Sequence, residues 1–114
     1  GLADLLSRQG LNIIIAATGN RRRYREEARN RLSHFMELWV QCSVEACQLR
    51  DPKGLYADAD AYRSQHLPGV GADYEPPEQA DAVVDTEQQT PVGAAHQIIR
   101  ECELLHYNRR IYAM

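Results

Sequence analysis

Residue types suited to holding oxyanions fall in two groups along this chain. The first is Arg50-Asp51-Pro52-Lys53-Gly54-Leu55-Tyr56, which carries the one lysine of a chain with twelve arginines. A compact ammonium between a proline and a glycine can close over polyphosphate, and Gly54 lets a ligand come close to the backbone. Asp51 beside it can either assist such a closure or cap the turn at Pro52. The second group is Arg21-Arg22-Arg23 with Arg25, whose guanidinium forks match sulfate and phosphate oxygens bidentately. Their other use is a solvated helix face, with Glu26 and Glu27 as local partners. Arg22 and Arg25 are the candidates for holding an anion; Arg21 and Arg23 are assigned to solvent. Phosphoryl transfer draws on such residues, because it asks a protein for positioning and positive charge around oxygens rather than for covalent chemistry.

Other chemistry finds little support. Cys42, Cys47 and Cys102 are odd in number and lack zinc-like spacing, so they read as reduced thiols in a cytoplasmic protein. His34, His66, His96 and His106 form no ligand-like group, and no metal site is expected. A net charge of −3 speaks against a nucleic-acid binder. The longest apolar run, residues 11–17 with Asn12 as its one polar member, is far short of the roughly 20 residues that cross a bilayer.

The elements that must position these residues alternate between helix and short apolar strand. With 114 residues, 44% hydrophobic and 25% charged, the chain is the size of one domain with one core. Residues 2–9 read as a helix stopped by Gly10. Residues 11–17, rich in isoleucine, suit a strand buried on both faces of a parallel sheet. A turn at Thr18-Gly19-Asn20 leads into a charged helix over 21–32, so the arginines follow the carboxyl end of that strand, where ligands bind in open α/β sheets. Residues 35–40 read as a second strand containing a core Trp39. Ser43 caps a short helix to about residue 49 that carries a buried Cys47, and residues 56–64 favour a further helix. Residues 66–80, with Pro68, Gly69, Gly71, Pro76 and Pro77, form an irregular loop of the length found in functional lids. Residues 82–84 are a minimal third strand and 92–106 a closing helix with Ile98, Ile99, Cys102 and Leu105 inward. The last eight residues form a tail. The fold class is α/β with mainly parallel strands.

The segment Arg50-Asp51-Pro52-Lys53-Gly54-Leu55-Tyr56 resembles the lid motif of the adenylylsulfate kinases. The similarity continues without a gap over residues 42–86. Val44-Glu45-Ala46-Cys47 falls on the family's short helix before the arginine, Leu67-Pro68-Gly69-Val70 on its Phe-Thr-Gly-Ile, and Tyr74-Glu75-Pro76-Pro77 on its Tyr-Glu-x-Pro. Val83-Val84-Asp85-Thr86 matches its last strand. Upstream, Arg22, Arg25 and Arg29 fit its Ser-Pro-Tyr-Arg-x-x-Arg-x-x-x-Arg, with Gly19 and Asn20 in place of Ser-Pro.

This resemblance implies transfer of the γ-phosphate of ATP to the 3′-hydroxyl of adenylyl sulfate or a related acceptor, with Mg2+ and ATP as cofactors. It implies catalytic roles for Lys53 and Asp51, substrate binding by Arg22, Arg25, Gly54, Leu55, Leu67, Pro68 and Gly69, and nucleotide binding by Arg50 and Thr86. Leu67, standing for a phenylalanine that stacks on adenine, retains apolar contact and weakens the preference for that base. No Gly-x-x-x-x-Gly-Lys-Ser/Thr occurs in the chain, so the expectation is the C-terminal part of such a kinase without its phosphate-binding loop. The fold expected is a partial, P-loop-kinase-like three-layer domain over residues 1–114, with lid 50–80 and the first two family strands missing. Strands at 11–17 and 35–40 would then flank an absent neighbour, and their open edges call for self-association or for an N-terminal kinase half. In that reading the chain is inactive alone. The alternative is a degenerate kinase domain serving as a nucleotide-binding regulatory module or a structural assembly domain. Neither nucleic acid nor membrane is expected as a partner.

Overall fold

Helix α1 spans Leu2–Arg8, with Asp4 and Arg8 paired across one turn at 3.2 Å. It ends where Gly10 takes φ of 82°, a left-handed conformation open to glycine. The computed structural model describes residues 1–55, 57 and 73–112, with side chains as far as Leu105. Helix α2 follows at Arg22–Arg31, strand β1 at Leu38–Gln41, helix α3 at Val44–Arg50, strand β2 at Ala82–Asp85 and helix α4 at Pro91–Tyr112. The fold is α/β, as its alternation of elements predicts.

Strands β1 and β2 pair in parallel, with Leu38 opposite Ala82 and Gln41 opposite Asp85. Helix α4 lies against β2, where the Gln97 side-chain amide donates to the Val83 carbonyl at 2.9 Å. Ala82, Val84 and Ala94 are the buried apolar residues among those described, so the core sits between β2 and the first turns of α4. Two caps set the helix starts. The Ser43 hydroxyl accepts from the Ala46 amide at 3.2 Å, and the Thr90 hydroxyl accepts from the Gly93 amide at 3.1 Å. Pro91 fits the first helical position, where no amide hydrogen is needed.

Several expectations change. Residues 11–17 form no strand. The segment is exposed, with Ile14 at 96% and Ile15 at 67%. Apolarity predicts burial, but a strand also needs a ladder partner for its backbone groups. No ladder joins 11–17 to another described segment: β1 and β2 pair along one edge each, and the segment lies against neither of their open edges. Trp39 is half-buried rather than core, and Cys47 is likewise half-buried. The closing helix runs on through residues 107–112, which were read as tail. The three-layer arrangement is not formed by the described elements, whose sheet is two-stranded. The helix expected at 56–64 and most of the 66–80 loop lie outside the described residues. Within that loop, residues 73–80 are irregular, as expected.

Candidate functional site

Charged residues gather at both ends of the β1–β2 pair, and the two gatherings differ in kind. At the amino end stand Glu37, just before β1, and Asp81, just before β2. Asp81 accepts the Glu37 amide at 2.7 Å, joining the two strand entries. Helix α2 reaches them with its arginines. Arg25 Nε donates to Glu37 at 2.8 Å, and Arg29 Nη2 reaches Glu37 at 3.4 Å and Asp81 at 2.8 Å. Donation to Asp81 is the first cause that raises the Arg29 pKa above its ordinary value, so this guanidinium is firmly charged. Its ring neighbour is Phe35, 5.3 Å from the guanidinium carbon.

The same helix fastens the irregular 73–78 segment. Arg25 donates to the Gly19 carbonyl and, through Nη2 at 2.5 Å, to the Glu75 carbonyl. The Glu75 carboxylate accepts the Arg22 amide at 2.7 Å and Arg21 Nη1 at 3.3 Å. These two donations, the backbone one first, hold the Glu75 carboxyl below its ordinary value. The Asn20 side chain donates to the Asp73 carbonyl at 3.2 Å, and the Glu75 amide donates to the Asn20 carbonyl at 2.9 Å. Residues 19–25 and 73–78 are thereby laced together across about fifty positions of sequence.

At the carboxyl end lie α3, which follows β1, and Thr86, which follows β2. Arg50 donates to the Thr86 hydroxyl at 3.2 Å and to its carbonyl at 2.9 Å, with the Cys42 sulfur 3.8 Å away. All three acceptors are neutral. The Ser43 amide and hydroxyl both donate to Glu87, at 2.8 and 3.0 Å. Beyond Arg50 the chain turns at Asp51-Pro52-Lys53-Gly54, closed by the Gly54 amide on the Asp51 carbonyl at 3.0 Å, with Gly54 at φ 67°. Lys53 is exposed and has no ion-pair partner among the described residues. The Asp51 carboxylate accepts the Ala57 amide at 3.1 Å.

The structure thus brings Arg50 and Thr86 into contact, places Lys53, Gly54 and Leu55 on the adjoining turn, and puts Arg22 and Arg25 with the other cluster. The Asp51 carboxylate ties the turn to the chain that follows it, at Ala57. Leu67, Pro68 and Gly69 lie outside the described residues. Arg21, assigned to solvent, pairs with Glu75, and Arg23 lies over Tyr24 at 4.9 Å. Sequence reasoning missed Glu37, Glu75 and Asp81 as partners of the arginines. Glu37 left one signal: it is the only charge in the apolar stretch Phe35-Met36-Glu37-Leu38-Trp39-Val40.

No group of three or more histidine, cysteine or acidic side chains among the described residues could hold a metal ion. Magnesium in phosphoryl transfer is carried largely by substrate phosphates. Arg50 and Lys53 do fit phosphate oxygens, because neither is neutralised by a carboxylate among the described residues. All three cysteines are thiols rather than disulfides. No helix among the described residues is long and apolar enough to cross a membrane.

A family model described as adenylylsulphate kinase matches residues 1–85. An adenylyl-sulfate kinase of Synechococcus is 38% identical over 89 residues, which cover 78% of this chain and 51% of that protein. A probable adenylyl-sulfate kinase of Pyrococcus abyssi is 38% identical over 106 residues, covering 93% of this chain and 61% of the relative. A probable bifunctional SAT/APS kinase of Sorangium cellulosum is 33% identical over 93% of this chain and 18% of its own length. The chain spans about half the length of the Synechococcus adenylyl-sulfate kinases it matches.

These matches correct the extent expected from the sequence. The family match begins at residue 1 and takes in α1, the 11–20 segment and α2, and the relatives align over as much as 93% of the chain. That coverage overturns the assignment to a C-terminal part alone, without the phosphate-binding loop. It equally overturns a fold defined by two missing family strands.

Proposed function

Since the chain belongs to the adenylylsulphate kinase family, we propose that it takes part in transfer of the γ-phosphate of ATP to adenylyl sulfate or a related acceptor. In this reading it supplies the substrate-and-lid half of the site and is inactive alone. The observation that carries it is the carboxyl end of the β1–β2 pair. There Arg50 is tied to Thr86, and the chain's one lysine stands exposed on the next turn with no ion-pair partner among the described residues. Parallel α/β sheets bind ligands at this end, and two cations with no ion-pair partner among the described residues favour a polyphosphate.

The roles follow from that placement. Arg50, fixed by two hydrogen bonds to Thr86, contributes charge at a set position beside the nucleotide. Lys53, on a turn with a left-handed Gly54, can approach the transferring group and offset its developing charge. Asp51 keeps the turn in shape. The α2 arginines hold the acceptor's anionic group and the segment that flanks it. A reducing compartment such as the cytoplasm suits the three thiols.

Separate calorimetric titrations of adenylyl sulfate and ATP test this reading. Adenylyl sulfate is expected to bind, and Lys53→Ala to weaken a nucleotide complex. Binding of neither at millimolar ligand would overturn the proposal and leave a structural assembly domain. Nucleotide binding that is insensitive to Lys53→Ala would favour the regulatory module instead.

A further inference from the structure

We propose that Arg22 and Arg25, neighbours on one face of α2, have opposite duties: Arg22 is the residue that binds an oxyanion, held in reserve by Glu78, whereas Arg25 is a positioning residue that never leaves its protein partners. This deepens the acceptor-binding role given above to the α2 arginines and rests on that reading for the identity of the natural anion.

The partners of the two guanidinium groups decide the matter. Every nitrogen of Arg25 is engaged: Nε by Glu37 at 2.8 Å, Nη1 by the Gly19 carbonyl and Nη2 by the Glu75 carbonyl. Its side chain is 14% exposed and that of Glu37 is 13% exposed, so the pair is shielded from water. Tyr74 lies 5.6 Å from its guanidinium carbon. Turning Arg25 towards a ligand would strand a poorly solvated Glu37 and two carbonyls, and such a buried break costs more than one new contact returns.

Arg22 is held loosely by comparison. Its Nη1 pairs with Glu78 at 2.8 Å, but the Glu78 side chain is 69% exposed. Its Nη2 donates to the Pro76 carbonyl at 3.2 Å. Its Nε is shielded from solvent and has no hydrogen-bond partner among the described residues. An exposed ion pair contributes little, and an orphaned donor is a standing penalty. Exchanging Glu78 for a tetrahedral oxyanion with several acceptor oxygens can satisfy Nη1 and, after a small rotation, Nε as well. The neighbouring Glu75 carboxylate is not an obstacle, because the Arg22 amide and Arg21 already offset it.

The division is tested with sodium sulfate against chloride at matched ionic strength, following the arginine Nε–H signals of the nitrogen-15-labelled chain. A saturable shift is expected at Arg22 and none at Arg25. Glu78→Gln removes the internal competitor and is expected to tighten sulfate by about twofold to fivefold. Arg22→Ala is expected to weaken it about tenfold or more, with the melting temperature little changed. Arg25→Ala is expected to lower the melting temperature; should it fail to fold, Arg25→Lys is expected to melt early while binding sulfate within about twofold of the parent. Tightening by Glu78→Gln is the readout that a merely structural Arg22 would not give. Sulfate that shifts Arg25 first, shifts neither residue, or is indifferent to Glu78→Gln would overturn the assignment. Adenylyl sulfate in a parallel titration separates the two proposals. If sulfate binds through Arg22 and adenylyl sulfate binds no better, the acceptor reading fails and the division stands; if adenylyl sulfate binds without moving Arg22, the reverse holds.

Discussion

The amino end of the β1–β2 pair is closed by charge, and the carboxyl end is left open by it. At the amino end, Arg25 and Arg29 meet Glu37 and Asp81 with side chains no more than 36% exposed. At the carboxyl end, among the described residues, Arg50 meets a hydroxyl, a carbonyl and a sulfur, and Lys53 has no ion-pair partner. Similar residue types therefore serve two purposes, set by what stands opposite them. Paired guanidiniums fix segments far apart in sequence. Cations with no carboxylate partner among the described residues cost little while solvated.

The sharpest way to break the comparison is Glu37→Ala. It removes the acceptor shared by Arg25 and Arg29 and leaves charge in a shielded place, for which a loss of about 3 kcal/mol is expected. Urea unfolding checks it. A loss no larger than that of a surface substitution would mean that the amino end is as loose as the other. Ser43→Ala is the comparable cut at the carboxyl end. It removes a helix cap and one of the two donors to Glu87, and should cost about 1 kcal/mol.

How much of this was legible in the sequence depends on how far each signal reaches. The helices at 2–8, 22–31 and 44–50, and the first four turns of the one at 91–112, were foreshadowed by local chemistry: Gly10 as a stop, Ser43 as a cap, charged and apolar periodicity. The 51–54 turn was legible because Pro52 and Gly54 specify it in place. The 11–17 segment was misread because isoleucines say that a strand wants burial, not that a partner is present. The clamp was the least legible part. Arg29 and Asp81 are separated by 52 positions, and no local pattern says which carboxylate an arginine will meet. For the same reason the sequence could nominate Arg22 and Arg25 together but could not tell them apart.

Acid offers a gentler probe of the amino end. The Glu75 carboxyl has its pKa lowered from an ordinary 4.5, first by the Arg22 amide and then by Arg21. A group depressed on folding stabilises the folded state fully above its unfolded pKa and loses that contribution as pH falls through the folded one. The hold of residues 73–78 on α2 should therefore be intact at neutral pH and fade only below pH 4.5. Amide exchange at Arg22 follows it, and Glu75→Gln should remove the pH dependence there.

The smallest effect on stability is expected from Lys53→Ala, and it says most about the open end. Lys53 is exposed, and the turn it stands on is closed by backbone groups and by Asp51. Its removal should change stability by no more than about 0.5 kcal/mol, the usual range for a surface substitution. The same change should weaken nucleotide binding, because the ammonium has an anion as its one natural counterpart there. Unfolding and calorimetry on the same variant separate the two. A Lys53→Ala chain that unfolds early would show that the lysine has a partner in the folded state. The carboxyl end would then be closed by charge too, and the contrast between the two ends would go with it.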